Sequence, residues 1–579
     1  MGKLEQFPAF RPDLTDIGTG VSSLISGVVP RGDGYGPFKN FVGFTQALPA
    51  NCRGFFFARR SDGSIAVFAG TATRLYLLDN TTFSWTDVSK GGVAYGSLVS
   101  TDNWRFAQFN EFVIAVQINT VPQKYILNVG GAFADLGGSP PQASHIAIVN
   151  RFVMLTALLA APRRAHWSDL DGPEVWTAGI GLCDYQDFPD GGVCHGVSGG
   201  DAYGVVFQDE AIRSLTYAPG SPAVFQIARI STQDTLDYQY SVINAGARTF
   251  FHSAQGFKVI VPGGGEPISI GKEYVDAFFA ADVDPAEPRL VNGAADPQGT
   301  RVFWAYKSKA GQAGLFDKVL CYDWSIKDRP WSLIPMSGQY LGYLAKPGLT
   351  LEALDAIAPG GLTVLGAAAT PGGSAFGAGK VRLTLSAVTN AYFTIAGQNF
   401  IVVQGVGGTT EANGTWLSSQ ISVVDATHLD INVAFVHAWT AGGRIGGSLD
   451  ALSFSLDSIS TSAIAQLAAV GPTSLLGFFT GENIEAILET AEQDAEGPLV
   501  FVSDLFPATD SPDCLCSIGY RIRPMDTIAY TDEQAVTEDG NCPVFVEGRY
   551  AKARMRIPAG SVWSYARGVR PDVQAAGDA

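Results

Sequence analysis

Seven cysteines and six histidines are the side chains most able to hold a metal, together with carboxylates beside them. Cys183, Cys194 and His195 share one short stretch with Asp184 and Asp187, but their spacing matches no zinc motif, and a loop with incidental thiols accounts for them equally. Cys514 and Cys516 flank Leu515 and so share one face of a strand, with Cys542 available as a third ligand. No fourth cysteine and no histidine lies nearby, which favours buried free thiols. His145, His166, His195, His252, His428 and His437 are scattered, and no Ser-His-Asp order, GxSxG, HExxH or Walker loop accompanies them. Asp169, Asp171 and Glu174 crowd one turn and could form the carboxylate pair of a glycosidase. Any solvated turn offers the same proximity. Gly263, Gly264 and Gly265, followed by Glu266 and Pro267, lack the strand-to-helix setting of a phosphate cradle and read as a hairpin turn. The expectation is a chain that is not an enzyme, with no catalytic, cofactor-binding or metal-ligating residue and no cofactor.

The elements that would carry such residues are repeats. Residues 75–90, LYLLDNTTFSWTDVSK, read as an alternating strand, a polar turn, a second strand and a Trp-Thr-Asp exit. Similar hairpins occupy residues 123–137, 165–179, 213–231, 257–271 and 318–334, a quasi-period of about 40–50 residues with one longer step. That is the length of a four-stranded propeller blade. A lone hairpin would bury too little surface to stand in water, so the units must stack. Trp85, Trp167, Trp176, Trp324 and Trp331 could stack on sugar rings, but a slot filled by an aromatic in repeat after repeat belongs to blade packing. The expected fold is all-β: a β-propeller of six to seven blades with an inserted small β domain and a C-terminal β module.

At 579 residues the chain outgrows one hydrophobic core, and its 46% hydrophobic fraction excludes wholesale disorder. The 67 glycines and 31 prolines argue for many tight turns. A formal charge of −17 disfavours non-specific gripping of nucleic acid, yet an acidic wall lets DNA slide past. Seven cysteines form no disulfide framework, the N-terminus shows no secretory pattern, and the most apolar run, residues 152–161, is too short to span a bilayer. The chain divides into an extended arm at 1–36, a propeller at 37–359, an inserted β domain at 360–447, the propeller's completion at 448–495 and a C-terminal module at 496–579. LTLEALDAI from Leu349 and SLDALSFSLDSI from Ser448 bracket the insert. The arm either packs on its own domain or lies on a neighbouring subunit. Residues 179–201 read as a long strandless loop, and 474–492 as the last piece of a blade. In the module, strands are expected at 499–504, 517–523, 544–547, 551–557 and 562–564.

Three stretches resemble one family. FRPDLTDIGTGVSSLISGVVPRGDGYGPF, followed by IAVFAGTATRLYLLD and FSWTDVS, resembles the tail tube or nozzle proteins (tail tubular protein B-like) of short-tailed phages. GVGGTTEANGTW, SVVDATHLDI and AWTAGGRIG resemble a small β module that recurs in phage tail proteins. SIGYRIRP, GRYAKARMRIPAG and WSYARGVRPDVQAAG resemble the ending of the same nozzle family. The resemblance implies a virion structural protein, assembled in the host bacterial cytoplasm. It would be one subunit of a homo-oligomeric ring, commonly a hexamer, forming part of the DNA-ejection channel below the portal or adaptor. Implied partners are portal, adaptor and other tail proteins, attached tail fibres, and passing genomic DNA without sequence-specific binding; no membrane insertion is expected. The alternative is a receptor- or glycan-binding tail protein on the virion surface.

Overall fold

In the computed structural model residues 3–80, 82–261, 263, 265–345, 362–386, 400–425, 427–446, 464–495 and 499–575 are described. The chain forms two compact units, one of residues 1–345 with 465–579 and one of residues 346–464.

The first unit contains a seven-bladed β-propeller. Each repeated hairpin of the sequence marks the outer half of a blade, its third and fourth strands, except that the fourth strand of the third blade lies beyond 165–179. The first blade is Phe55–Arg59, Ile65–Gly70, Leu75–Leu78 and Trp85–Asp87, antiparallel in that order. The first strands of the next five blades are Arg105–Phe109, Ala143–Val149, Cys194–Ser198, Ile243–Ala245 and Asn292–Ala295. The seventh blade takes Tyr340–Ala345, Ala465–Val470 and Leu476–Phe478 from late in the chain and its outermost strand, Val42–Gly43, from early. Its first strand lies beside that of the first blade, which closes the ring.

Inner strands such as Ile65–Gly70 and Gly204–Gln208 are buried at every position because neighbouring blades cover both faces. Apolar layers therefore alternate with blades around the ring. Phe68 and Leu75 meet Trp104 and Val113 in one layer, and Phe152 and Trp167 meet Val206 and Phe225 in another. Trp331 stacks on Trp304 at 5.8 Å, and Trp331, Trp167 and Trp176 are buried between blades as their recurrence suggested, whereas Trp85 and Trp324 are only half-buried. Asp62 and Gly63 turn the first hairpin with Gly63 at φ 83°, a value that favours glycine.

The sixth blade does not end at its fourth strand. Trp331–Gly338 pairs with Ile25–Ser26, which pairs with Ala486–Glu489, then Tyr550–Ile557, Leu515–Arg521 and Ala529–Tyr530, so one sheet runs from the propeller into the terminal module. A second sheet, ordered Val28–Arg31, Gly34–Pro37, Ala566–Ala575, Val500–Thr509 and Cys542–Gly548, shares its core with the first. Phe7, Phe10, Ile25 and Tyr35 from the N-terminus are buried in that core beside Leu505, Met555 and Trp563.

Several sequence expectations change here. The span 1–36 expected as an extended arm is, over its described residues 3–36, no such arm and does not need a neighbouring subunit: Glu5–Gln6, Ile25–Ser26, Val28–Arg31 and Gly34–Pro37 pair with strands of their own chain. The module at 496–579 is therefore half of a two-ended domain. Its last strand is Ala566–Ala575, not 562–564, and it lies inside its sheet in spite of Pro571. Residues 179–201 are not strandless. They hold Asp184–Asp187, the polar outermost strand of the third blade, and Cys194–Ser198, the innermost strand of the fourth. Of 474–492, Leu476–Phe478 belongs to the seventh blade but Ala486–Glu489 to the module sheet. One α-helix, Asp276–Asp282, is present among the described residues, and Asp13 caps it by accepting the Ala277 and Phe278 N–H groups at 3.0 and 2.8 Å.

The second unit, 346–464, is wider than the expected 360–447, and its flanking LTLEALDAI and SLDALSFSLDSI lie outside the described residues. Its described strands order as Gly414–Leu417, Phe400–Gln404, Arg444–Gly446, Leu362–Ala369, Lys380–Leu385, His428–Ala434 and Ile421–Val423 around Val381, Leu383, Val403, Leu429 and Ile431. Asp430, fully buried, accepts from Arg382 at 2.6 and 2.8 Å and from Ser374 Oγ at 2.7 Å. The chain leaves the propeller after Ala345 and re-enters at Ala465, which are ladder partners. A two-residue Asn-Gly turn spans such a gap. A chain with 346–464 replaced by that turn should fold with a thermal midpoint within about 2 °C of the parent, read by calorimetry; a loss of about 10 °C would mean the second unit supports the propeller.

Candidate functional site

The side chains singled out for chemistry are drawn apart by the fold. Cys183 lies by the outermost strand of the third blade with its sulfur 3.9 Å from His166 Nε2, whereas Cys194 and His195 begin the innermost strand of the fourth, where His195 pairs with Asp209. Asp187 receives a bidentate pair from Arg164 at 2.7 and 2.8 Å. Cys514 and Cys516 do share a face, 3.9 Å apart at sulfur, and with Cys542 they are buried free thiols in the apolar module core. Among the described residues no cluster of three His, Cys, Asp or Glu is arranged to hold a metal. Asp169 accepts the Leu182 N–H at 2.7 Å, and Asp171 pairs with Arg151. Glu174 takes Lys124 Nζ at 2.6 Å and the Gly137 N–H at 2.8 Å. Burial pushes the Glu174 carboxyl up, but Lys124 and the Gly137 amide outweigh it and hold it below its usual value, the opposite of a general acid. Gly263 and Gly265 flank Gly264, which with Pro262 lies outside the described residues.

What the fold does bring together is the centre of the ring. The first strands of all seven blades line a cup of about 560 Å³. Among the lining residues are Phe55, Phe57 and Arg59 of the first blade, Arg105, Phe106 and Gln108 of the second, one each from the next four (His145, Val197, Asn244 and Ala294), and Tyr340 and Tyr343 of the seventh. The connectors that lead into these strands tie together at one end. Tyr240 Oη accepts the Asn103 N–H at 2.8 Å, and Asn103 Nδ2 donates to Arg289 O at 3.0 Å, which joins the entries to the second, fifth and sixth blades. Gln239 donates through Nε2 to Asp102 Oδ1 at 3.1 Å, which leaves its Oε1 to accept from His145 Nε2 at 3.0 Å. Burial, reinforced by the Arg105 charge, pushes the His145 imidazole down to about 3, so it is neutral with Nε2 protonated. Burial likewise raises the Asp102 carboxyl. Burial, then the nearby Arg289 charge, lowers Arg53 to about 10; its Nε and Nη2 donate to Asp102 O and Val99 O at 3.0 and 2.6 Å. The cup thus has a polar floor and, at the other end, a mouth with the exposed Tyr343.

A second cavity, of about 470 Å³, lies at the helix, lined by Asp237, His252, Asp276, Phe279 and Lys309. Desolvation raises the Asp276 carboxyl from 3.8 to about 6, against the Phe257 N–H that it accepts at 3.0 Å and the charges of His252 and Lys258, while Asp13 adds to the rise. A folded value above the unfolded one means that the native state holds a proton that the unfolded chain releases between about pH 4 and 6. The stability from this group is present below that window and lost as pH rises through it. Asp276→Asn should therefore gain on the order of 1–2 kcal/mol at pH 7.5 and nothing at pH 3.5 in urea unfolding; an equal gain at both would refute the assignment.

No family model and no curated protein matches the chain. Solved structures do. One is BamB from Moraxella catarrhalis, 13% identical, covering 55% of this chain and 87% of that one with a TM-score of 0.30. The RRP9 WD40 repeats are 9% identical over 52% and 89%, with a TM-score of 0.34. A quinonprotein alcohol dehydrogenase-like protein from Bacteroides thetaiotaomicron is 11% identical over 48% and 65%, with a TM-score of 0.30. Likeness at this level carries no argument of its own, and the propeller stands on its seven sheets.

The cup residues escaped the sequence reading, apart from His145 as one of six scattered histidines. Their only signal is a charged or amide side chain inside an otherwise apolar first strand, as in RFAQF and ASHIAIV.

Proposed function

We propose that the protein is a structural subunit of a phage virion, one copy of a tail nozzle or hub ring that continues the DNA-ejection channel beneath a portal or adaptor. The observation that carries this reading is the sheet that runs unbroken from the sixth blade into the terminal module. Such a ladder makes propeller and module one stiff strut, the property an oligomeric ring asks of its subunits. The module leaves Ile522, Met525, Phe545 and Val562 exposed, side chains that a neighbouring copy can cover. The carboxylates singled out for chemistry, Asp169, Asp171, Glu174 and Asp187, are engaged as structural partners. DNA would pass through the ring made by the copies, since the cup within each copy is floored, and a charge of −17 suits a wall that does not hold a polyanion.

The test is electron microscopy and mass photometry of the purified chain, alone and with an assembled portal and adaptor. Closed rings, six-fold by expectation, support the reading. A protein that stays monomeric in the presence of that complex overturns it.

A further inference from the structure

The cup has a charge balance unlike the rest of the chain. The protein carries 55 Asp and Glu residues, yet among the described residues none of them lines the cup, while Arg105 and Arg59 do. Arg105 is the more telling of the two. Its Nη2 donates to Gln239 O at 2.9 Å and its guanidinium lies 4.5 Å over the Tyr240 ring, but its Nε is buried with no acceptor among the described residues. A buried donor without a partner is costly. None of the polar groups of the floor accepts from that Nε: Gln239 Oε1 faces His145, and Asp102 Oδ1 takes the Gln239 amide.

The walls above the floor are aromatic. Phe56 and Phe106 stack at 5.9 Å with 10° between their planes, Phe57 meets Tyr343 edge-on at 5.8 Å, and Phe55 meets Tyr340 at 5.6 Å. A volume of about 560 Å³ lies within the range of small-molecule sites. We propose that the cup binds a small organic carboxylate with a planar, largely apolar body, the carboxylate on Arg105 and the body against Phe56, Phe106 and Tyr343. A bare inorganic anion would leave the aromatic walls unused. A neutral sugar would leave Arg105 unanswered and would find no carboxylate to accept its hydroxyls. The inference stands on the cup alone and is independent of any role in a virion.

The test is isothermal calorimetry of the full chain with benzoate, benzamide and inorganic phosphate. Benzoate should bind at least tenfold more tightly than benzamide, with phosphate weaker than benzoate. Arg105→Gln should bring acid and amide to equal affinity. Tyr343→Ala, at the exposed mouth, should weaken both ligands and keep the preference for the acid, which holds the test together if Arg105→Gln fails to fold. Equal binding of acid and amide by the parent, no binding of benzoate at millimolar concentration, or phosphate binding as tightly as benzoate would overturn the proposal.

Discussion

Glu489→Gln should lower stability by about 3–5 kcal/mol, read as the shift of the urea midpoint of the terminal module, because it opens a buried charge network instead of trimming a surface pair. Glu489 is 1% exposed on the strand that joins the propeller sheet to the module. One oxygen accepts Tyr530 Oη at 2.8 Å and Arg554 Nε at 2.7 Å; the other faces Lys552 Nζ at 2.7 Å. Lys552, itself 6% exposed, reaches Asp16 Oδ2 at 2.9 Å, so the network ties both chain ends to the middle of the sheet. Burial alone would pull the Lys552 ammonium down. The Glu489 charge and the bonds to Glu489 and Asp16 outweigh it and hold the ammonium above its usual value. A neutral amide in place of the Glu489 carboxylate would leave that ammonium with one carboxylate instead of two. Lys552→Met should cost a similar amount, and the double variant less than the sum of the two, since the residues share one network. A single-variant loss below about 1 kcal/mol would place the pair among surface contacts of little worth.

Gly27→Ala is the second large effect, and it acts through backbone space. Gly27 sits at φ 73° between Ile25–Ser26 and Val28–Arg31, where the chain crosses from one module sheet to the other, and its N–H donates to Leu333 O at 2.8 Å. A Cβ there would lie 1.8 Å from Glu485 O and 2.9 Å from its carbonyl carbon. Relief would require breaking the pairs Ile25↔Leu488 and Ser26↔Ile487. Overpacking and left-handed strain together should cost on the order of 3 kcal/mol or more. Gly18→Ala is the control: φ is 67° there, with nothing within 4 Å of the new carbon, so only the strain of about 1 kcal/mol remains. Limited proteolysis and amide exchange should show the N-terminal strands and residues 485–489 opening in Gly27→Ala and not in Gly18→Ala. Equal protection in both variants would mean that the crossing has slack.

The propeller was legible where local signals repeat. The outer hairpins carry an apolar alternation and a polar turn, most with an aromatic exit, and the six that stood out mark the third strands of the first six blades and, in all but the third blade, the fourth. The seventh blade was legible only in part, because its four strands come from residues 42–43, 340–345, 465–470 and 476–478. The N-terminal strands left no local trace for the same reason: Ser26 pairs with Leu333 and Ile487, and Glu5 with Val569. Asp184–Asp187 was missed because this outermost strand, DYQD, has no apolar face to advertise, and Ala566–Ala575 because its charges and Pro571 interrupt the alternation of a strand. The cup was illegible as a site. Its residues lie one blade apart in sequence, and only closure of the ring makes Arg105, His145 and Gln239 neighbours.

The placement of Val42–Gly43 as the outer edge of the seventh blade also bears on how the chain is made. That edge has no partner until Leu476–Phe478 has left the ribosome, and the strand at Ile25–Ser26 must wait for Leu333 and Ile487. At about 5–20 residues per second the wait is roughly 20–90 s. During it Phe7, Phe10, Ile25 and Val28, all later buried, are open to solvent and to one another. Nascent chains of this protein therefore carry that apolar surface unpaired through most of their translation, and the first blades to form must stand without the clasp that finally shuts them.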